Sequence, residues 1–232
     1  MHTEQSPTPS RRDRPAKPAL TRDGIVSTAV NLLRAYGMQK VTMRRLALEL
    51  DTGAASLYVY VKNTAELHAA VLDELLGEVD LGENTSGTWQ EQLEHVLTSY
   101  TSVLFEYPSL AQAAMVARPS GPHYLQLIER LLALLDDGDV PVDRASWGVD
   151  LLLQHATATA AEHTTRDSTI DAGDDWDALT DAVENADARV YPQIAAHAAH
   201  LLSGEPEHRL SWSFRMLVTG ITNTPLTPQE SS

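Results

Sequence analysis

A chain of 232 residues with 43% apolar side chains can bury one large core or two smaller ones, and its lack of cysteine excludes disulfides and thiolate zinc sites. No uncharged apolar run approaches the ~20 residues of a membrane span, and no apolar segment follows the cationic start at Arg11, Arg12 and Arg14, so a cytoplasmic protein is expected. The net charge of −15 is split, with 10 Lys+Arg against 5 Asp+Glu in residues 1–62 (+5) and 7 against 27 in residues 63–232 (−20), a layout that offers one cationic end to phosphates while the remainder repels a duplex.

Residues 1–20 hold four prolines and almost no large apolar side chain. They are expected to be disordered alone, as a basic arm whose Arg11, Arg12, Arg14 and Lys17 could reach phosphates or a minor groove. Thr21 is a helix N-cap, and Ile25, Ala29, Leu32, Leu33 and Tyr36 follow at helical spacing until Gly37 stops the run. Thr42 caps a second helix with Leu46, Ala47 and Leu50 on one face. Asp51-Thr52-Gly53 breaks it, and Gly53 is expected to take the positive φ of the cap. A short third helix over Ala54–Tyr60 turns Leu57 inward and Ser56, Tyr58 and Tyr60 outward. Two helices joined by so short a turn can set the second in a major groove. A fourth helix, Thr64 to Glu78, carries the stripe Leu67, Val71, Leu75 and Leu76.

The rest also reads as helical. Trp89–Tyr107 repeats Leu93, Val96, Leu97, Tyr100, Val103 and Leu104, with Pro108 expected to end it. Short or amphipathic helices are predicted over Leu110–Ala117 and His123–Leu135, a long one from Pro141 to about Arg166, and others near Trp176–Ala188, Pro192–Leu202 and His208–Ile221. Residues 166–177 are expected to form a polar connection. The fold class is all-α, divided into the arm 1–20, a helix-turn-helix domain 21–66, a helical effector-binding and dimerisation domain 67–222, and a flexible tail 223–232.

The run Ile25, Ala29, Leu33, Gly37, Val41-Thr42, Arg45-Leu46-Ala47, Leu50, Ser56-Leu57-Tyr58, Tyr60-Val61-Lys62-Asn63, Glu66-Leu67 resembles the N-terminal domain of the tetracycline-repressor (TetR) family. The resemblance implies backbone or base contacts from Thr42 and Arg44, recognition contacts from Ser56, Tyr58 and Tyr60, and a phosphate clamp at Lys62. Thr64 departs from the family's usual lysine. Ala54 and Ala55 stand where relatives have longer polar side chains, which implies a head that leans on thymine methyls and groove shape.

More weakly, Trp89-Gln90, Leu93, Arg118-Pro119, Tyr124 and Ser213–Ile221 resemble the C-terminal domain of the tetracycline-repressor subgroup. That implies a homodimer through the long helix from Pro141 and the last helix, set on a palindromic double-stranded DNA operator, with repression as the usual output. Consecutive Leu151, Leu152 and Leu153 also leave an apolar strip for a partner to cover. The expected effector cavity is lined by Tyr100, Met115, Leu127, Leu131, Gln154, His155, Thr159 and Glu162. Ala114 replaces the magnesium histidine of tetracycline repressors, and Val96 and Ala117 replace polar drug contacts, so a different and partly apolar effector is expected, with no cofactor.

The competing class is a metal-binding protein or enzyme using histidines and glutamates of the C-terminal domain. His155 and His163 lie two turns apart, and His197 and His200 three residues apart, each without an evident third ligand. No phosphate loop, nucleophile elbow or metal signature is present, so no enzyme is expected. A bare dimerising scaffold has no reason to gather cations around a helix-turn-helix.

Overall fold

The computed structural model describes residues 19–83, 86–115, 119–168 and 172–226. The expectations for the arm before residue 19, for Ala117 and Arg118, and for the tail beyond 226 lie outside these residues. Every α-helix or strand among the described residues is a helix, and no helix is long and apolar enough to cross a membrane.

Helix α1 (Arg22–Tyr36) starts where Thr21, in extended backbone, accepts the Gly24 N–H at 3.0 Å. It ends at Gly37, whose φ of 80° suits glycine. Ile25, Ala29, Leu32 and Leu33 are buried as the spacing predicts, and Val26 and Val30 widen the stripe. Tyr36 was expected on that stripe but is 61% exposed. A 3-10 turn (Met38–Lys40) leads to α2 (Met43–Glu49), α3 (Ala54–Leu57) and α4 (Thr64–Leu76), and α1 packs on both α2 and α4. The α4 stripe of Leu67, Val71, Leu75 and Leu76 is buried, joined by Ala70 and Leu72.

The larger half comprises α5 (Trp89–Glu106), α6 (Pro108–Ala114), α7 (Pro122–Asp137), α8 (Val142–Ser168), α9 (Ala172–Glu184), α10 (Pro192–Leu201) and α11 (Pro206–Asn223). α8 is the central rod, with α5, α6, α7 and α11 packed against it. A reciprocal capping box between Thr88 and Glu91 opens α5. Its six expected core residues, Leu93 to Leu104, are all buried.

Three expectations are corrected. Pro108 does not merely end α5: it is the first residue of α6, where its missing N–H costs nothing. Residues 166–168 continue α8 and 172–177 belong to α9, so the polar composition there belongs to helix and not to a connection. The last helix runs on to Asn223, past the expected start of the tail. At the α7 C-terminus Asp139, not Gly138, takes the positive φ of 54°. Gly138 is there for a different reason: a Cβ would sit 2.4 Å from the Trp89 indole, so only glycine lets α5 start this close.

Candidate nucleic-acid interface and effector cavity

The helix-turn-helix is set by local bonds before any tertiary packing. Thr42 Oγ1 accepts the Arg45 N–H at 3.2 Å and starts α2. Leu46 and Ala47 bury the inner face of α2. The turn that follows corrects the sequence reading: Gly53 has an ordinary φ of −79°, and Asp51 takes the left-handed position at φ 47°. The Asp51 N–H reaches the Leu48 carbonyl (3.1 Å) and the Thr52 N–H the Ala47 carbonyl (2.8 Å), the Schellman pairing of a helix end. Asp tolerates this conformation better than most residues, which frees Gly53 to serve as the N-cap of α3.

α3 is one turn, shorter than the expected span to Tyr60. The Tyr60 and Val61 N–H groups still close back on the Leu57 carbonyl at 2.9 and 3.0 Å. Leu57 and Val61 are fully buried and pin the segment. Ala54, Ala55, Ser56, Tyr58, Val59 and Tyr60 are all exposed, Val59 most of all at 80%. Val59 is the residue sequence reasoning missed. A short helix followed by turns faces this apolar side chain to solvent.

The cations divide into two kinds. Arg45 is occupied: it pairs with Glu49 at 2.6 Å, and its guanidinium lies 5.4 Å from the Tyr36 ring centroid. That explains the exposure of Tyr36, whose ring is a platform for the cation. Arg44 on the same helix is exposed and its guanidinium has no partner among the described residues. At the far end Asn63 caps α4 by accepting the Glu66 N–H, and Glu66 reaches back to the Lys62 N–H, both at 2.8 Å. This fixes the Lys62 backbone and leaves its exposed ammonium unpaired among the described residues. The face therefore carries Thr42, Arg44, Ser56, Tyr58, Tyr60 and Lys62, with Ala54, Ala55 and Val59 as apolar surface between them.

A cavity of about 480 Å³ opens between α5, the C-terminal end of α6, α7 and α8. Of the eight residues expected to line it, Tyr100, Met115, Gln154 and His155 do so. Leu127 and Leu131 lie in the core with no exposed surface, and Thr159 and Glu162 lie further along α8, half-buried and exposed respectively, none of the four on the cavity wall. Tyr124, Asp150 and Thr157 are wall residues that the sequence did not suggest. No periodicity distinguishes a core face from a cavity face, so only helix placement could have found them.

The polar groups of the cavity are well defined. Thr157 donates to the Leu153 carbonyl (2.7 Å), so the Tyr100 hydroxyl donates to Thr157 Oγ1 (2.8 Å). Burial pushes the Tyr100 phenol up to about 12, which keeps it neutral. Ser213 likewise donates to the Leu210 carbonyl, so His155 Nε2 donates to Ser213 Oγ at 2.7 Å. Burial lowers the His155 pKa, leaving a neutral ring whose Nδ1 is an acceptor. Phe214 meets the His155 ring edge-on at 5.7 Å. The wall is thus a mixed surface that can hold a partly apolar molecule and bond its polar groups. As for metals, among the described residues no group of three or more His, Asp or Glu is placed to hold an ion. His155 bonds Ser213, His163 packs against Phe105 with the rings tilted by 55°, and His197 bonds its own helix at the Gln193 carbonyl.

A short two-helix reading head on an all-α body with a cavity defines a helix-turn-helix regulator. Family models agree: residues 25–71 match bacterial regulatory proteins of the tetR family, and residues 81–224 match the tetracyclin repressor-like C-terminal domain. The chain belongs to the tetracycline-repressor family of bacterial regulators. It is similar to the HTH-type transcriptional repressor DrrR1 of Streptomyces coeruleorubidus, 34% identical over 129 residues that cover 54% of this chain and 47% of that protein. The chain spans about half the length of the curated relatives it matches. Among solved structures, the Streptomyces coelicolor protein SCO7704 is 57% identical with a TM-score of 0.76, covering 91% of this chain and 99% of that one. The Streptomyces coelicolor TetR family protein ActR, solved in complex with actinorhodin, is 34% identical with a TM-score of 0.78 over 88% of this chain and 96% of that one.

Proposed function

We propose that this protein is a repressor that leaves its operator when a small, partly apolar molecule fills the cavity between α5 and α8. One observation carries the reading: an exposed face with two unpaired cations and three outward hydroxyl side chains stands on a head joined through α4 to a body with a cavity of about 480 Å³. The head corresponds to residues 21–66 and the body to 67–222. Arg44 and Lys62 hold phosphates or a base edge, Tyr58, Tyr60 and Ser56 contact the groove, and Ala54 and Ala55 face thymine methyls.

The active form is a homodimer through α8 and α11. Trp147 and Leu151 on α8 and Trp212 and Met216 on α11 are exposed large apolar residues, and a second copy covers them. Two-fold symmetry sets two heads on a palindromic operator with half-sites one helical turn apart. An effector shifts the equilibrium between DNA-competent and incompetent arrangements only by its differential affinity for the two. The place of action is the cytoplasm, where operator DNA is.

The test is selection of genomic fragments by the purified protein, followed by mobility-shift titration of the recovered sites. A palindromic site bound by a dimer is expected. Failure to enrich any site above a non-specific background at physiological salt rules the proposal out, and stoichiometric metal in the same preparation turns attention to the histidines.

A further inference from the structure

α4 is fastened at two points, and the second concerns the cavity. Near its start, His68 Nε2 bonds the Val41 carbonyl at 3.2 Å, just ahead of α2. A carbonyl only accepts, so this imidazole donates, and α4 and the reading head are tied there. Five residues further, Asp73 is 7% exposed, and it is the only charged residue among the described buried ones. A buried carboxylate is costly unless it is bonded. Its partner lies on α7: Asp73 Oδ1 accepts the Tyr124 N–H at 3.0 Å, and Oδ2 lies 3.4 Å from His123 Nδ1.

That bond does the work of a helix cap. α7 starts with Gly121 at the N-cap, which has no side chain to satisfy its first N–H groups. Tyr124 is the third residue of the helix, the one an N-cap side chain would serve, and Asp73 supplies the acceptor from 51 residues away. The carboxylate also faces the positive end of the α7 dipole. Gly121 is glycine for this reason: a Cβ there would stand 2.1 Å from the Asp73 carboxylate. Tyr124 itself is a wall of the effector cavity. Its side chain borders the ligand space while its N–H holds α4. Along α4, a cleft of about 340 Å³ lies between α1, α4 and His123.

We infer that Asp73 is the positioning residue that couples the cavity to the DNA-reading head, by capping α7 at Tyr124 and so making α4 follow its first turn. This rests on the effector-gated reading above. A molecule that displaces Tyr124 drags or releases Asp73, and His68 passes the shift to the segment that carries α2. The coupling is reciprocal by linkage, so operator binding must act on the Tyr124 N–H in return.

The test uses that reciprocity and needs no effector. Hydrogen exchange of peptides covering residues 120–128 is measured in the full-length protein with and without the operator fragment recovered above. In the parent, operator is expected to slow exchange at the α7 first turn at least about fivefold, the low end of ordinary coupling. Asp73→Ala with Gly121→Ser removes the link but gives α7 a cap from its own chain, in space that the lost carboxylate vacates. This pair is expected to melt near the parent temperature, to bind operator, and to show no operator-dependent change. If the double variant does not fold, Asp73→Asn carries the test, with a smaller response than the parent. A response equal to the parent's in whichever variant folds, or no response in the parent, overturns the inference. If the parent binds no operator at all, the proposed function fails instead.

Discussion

Arg44 and Arg45 are adjacent, equally charged and both exposed, yet only Arg45 has side-chain partners among the described residues, and replacing each by alanine tests the separate roles proposed for them. Arg44 has no partner among the described residues, so Arg44→Ala should leave stability within about 0.5 kcal/mol of the parent. Its loss should fall on DNA instead: about 1–3 kcal/mol, roughly 5- to 150-fold in Kd, if the guanidinium meets a guanine, or a salt slope shallower by about 1 if it meets a phosphate. Arg45 is committed to Glu49 at 2.6 Å and to the Tyr36 ring at 5.4 Å. An exposed helical ion pair contributes about 0.3–0.5 kcal/mol and an exposed cation–π contact about 0.5–1. Arg45→Ala should therefore cost about 1 kcal/mol of folding stability and change operator affinity little. Urea melts give the first quantity, and fluorescence-anisotropy titrations at three or more salt concentrations give the second. Full affinity and an unchanged salt slope in Arg44→Ala, or a larger DNA defect in Arg45→Ala, would refute the assignment of the two cations.

Three further outcomes are expected. Thr42→Ala removes the α2 cap and should lower stability by about 1 kcal/mol in urea melts, with weaker operator binding because α2 positions α3; an unchanged melt contradicts the capping role. Gly138→Ala places a methyl 2.4 Å from the Trp89 indole and should cost about 1–3 kcal/mol, seen as a lower Tm. The third concerns pH. Burial depresses the His155 pKa below 6.5 in the folded state, so the unfolded chain binds the proton more readily. Stability is then fully present above pH 6.5 and is lost as pH falls through the lowered folded value. His155→Gln should flatten that part of the stability–pH curve, and an equally steep fall in the variant would show that other groups cause it.

What the chain states by itself is local. Thr21 and Thr42 cap their helices because a hydroxyl three residues ahead of an N–H needs nothing else, and the apolar spacing in α1, α4 and α5 names the buried faces correctly. The head, with Leu57 inside and Tyr58 and Tyr60 outside, was legible for the same reason. Where two local solutions compete, tertiary structure chose. Asp51 took the left-handed turn because α2 stopped two residues sooner than the glycine suggested, and Tyr36 left the α1 stripe to support Arg45. The cavity was legible only in part: Tyr100, Met115, Gln154 and His155 line it, and the other four expected residues do not. Leu127, Leu131 and Tyr100 have the same helical periodicity, but whether a buried face meets a neighbour or a void depends on how α5, α7 and α8 are rotated and spaced. The Asp73 cap is further still from any sequence pattern, since its donor lies 51 residues away and becomes a partner only when α4 crosses the start of α7.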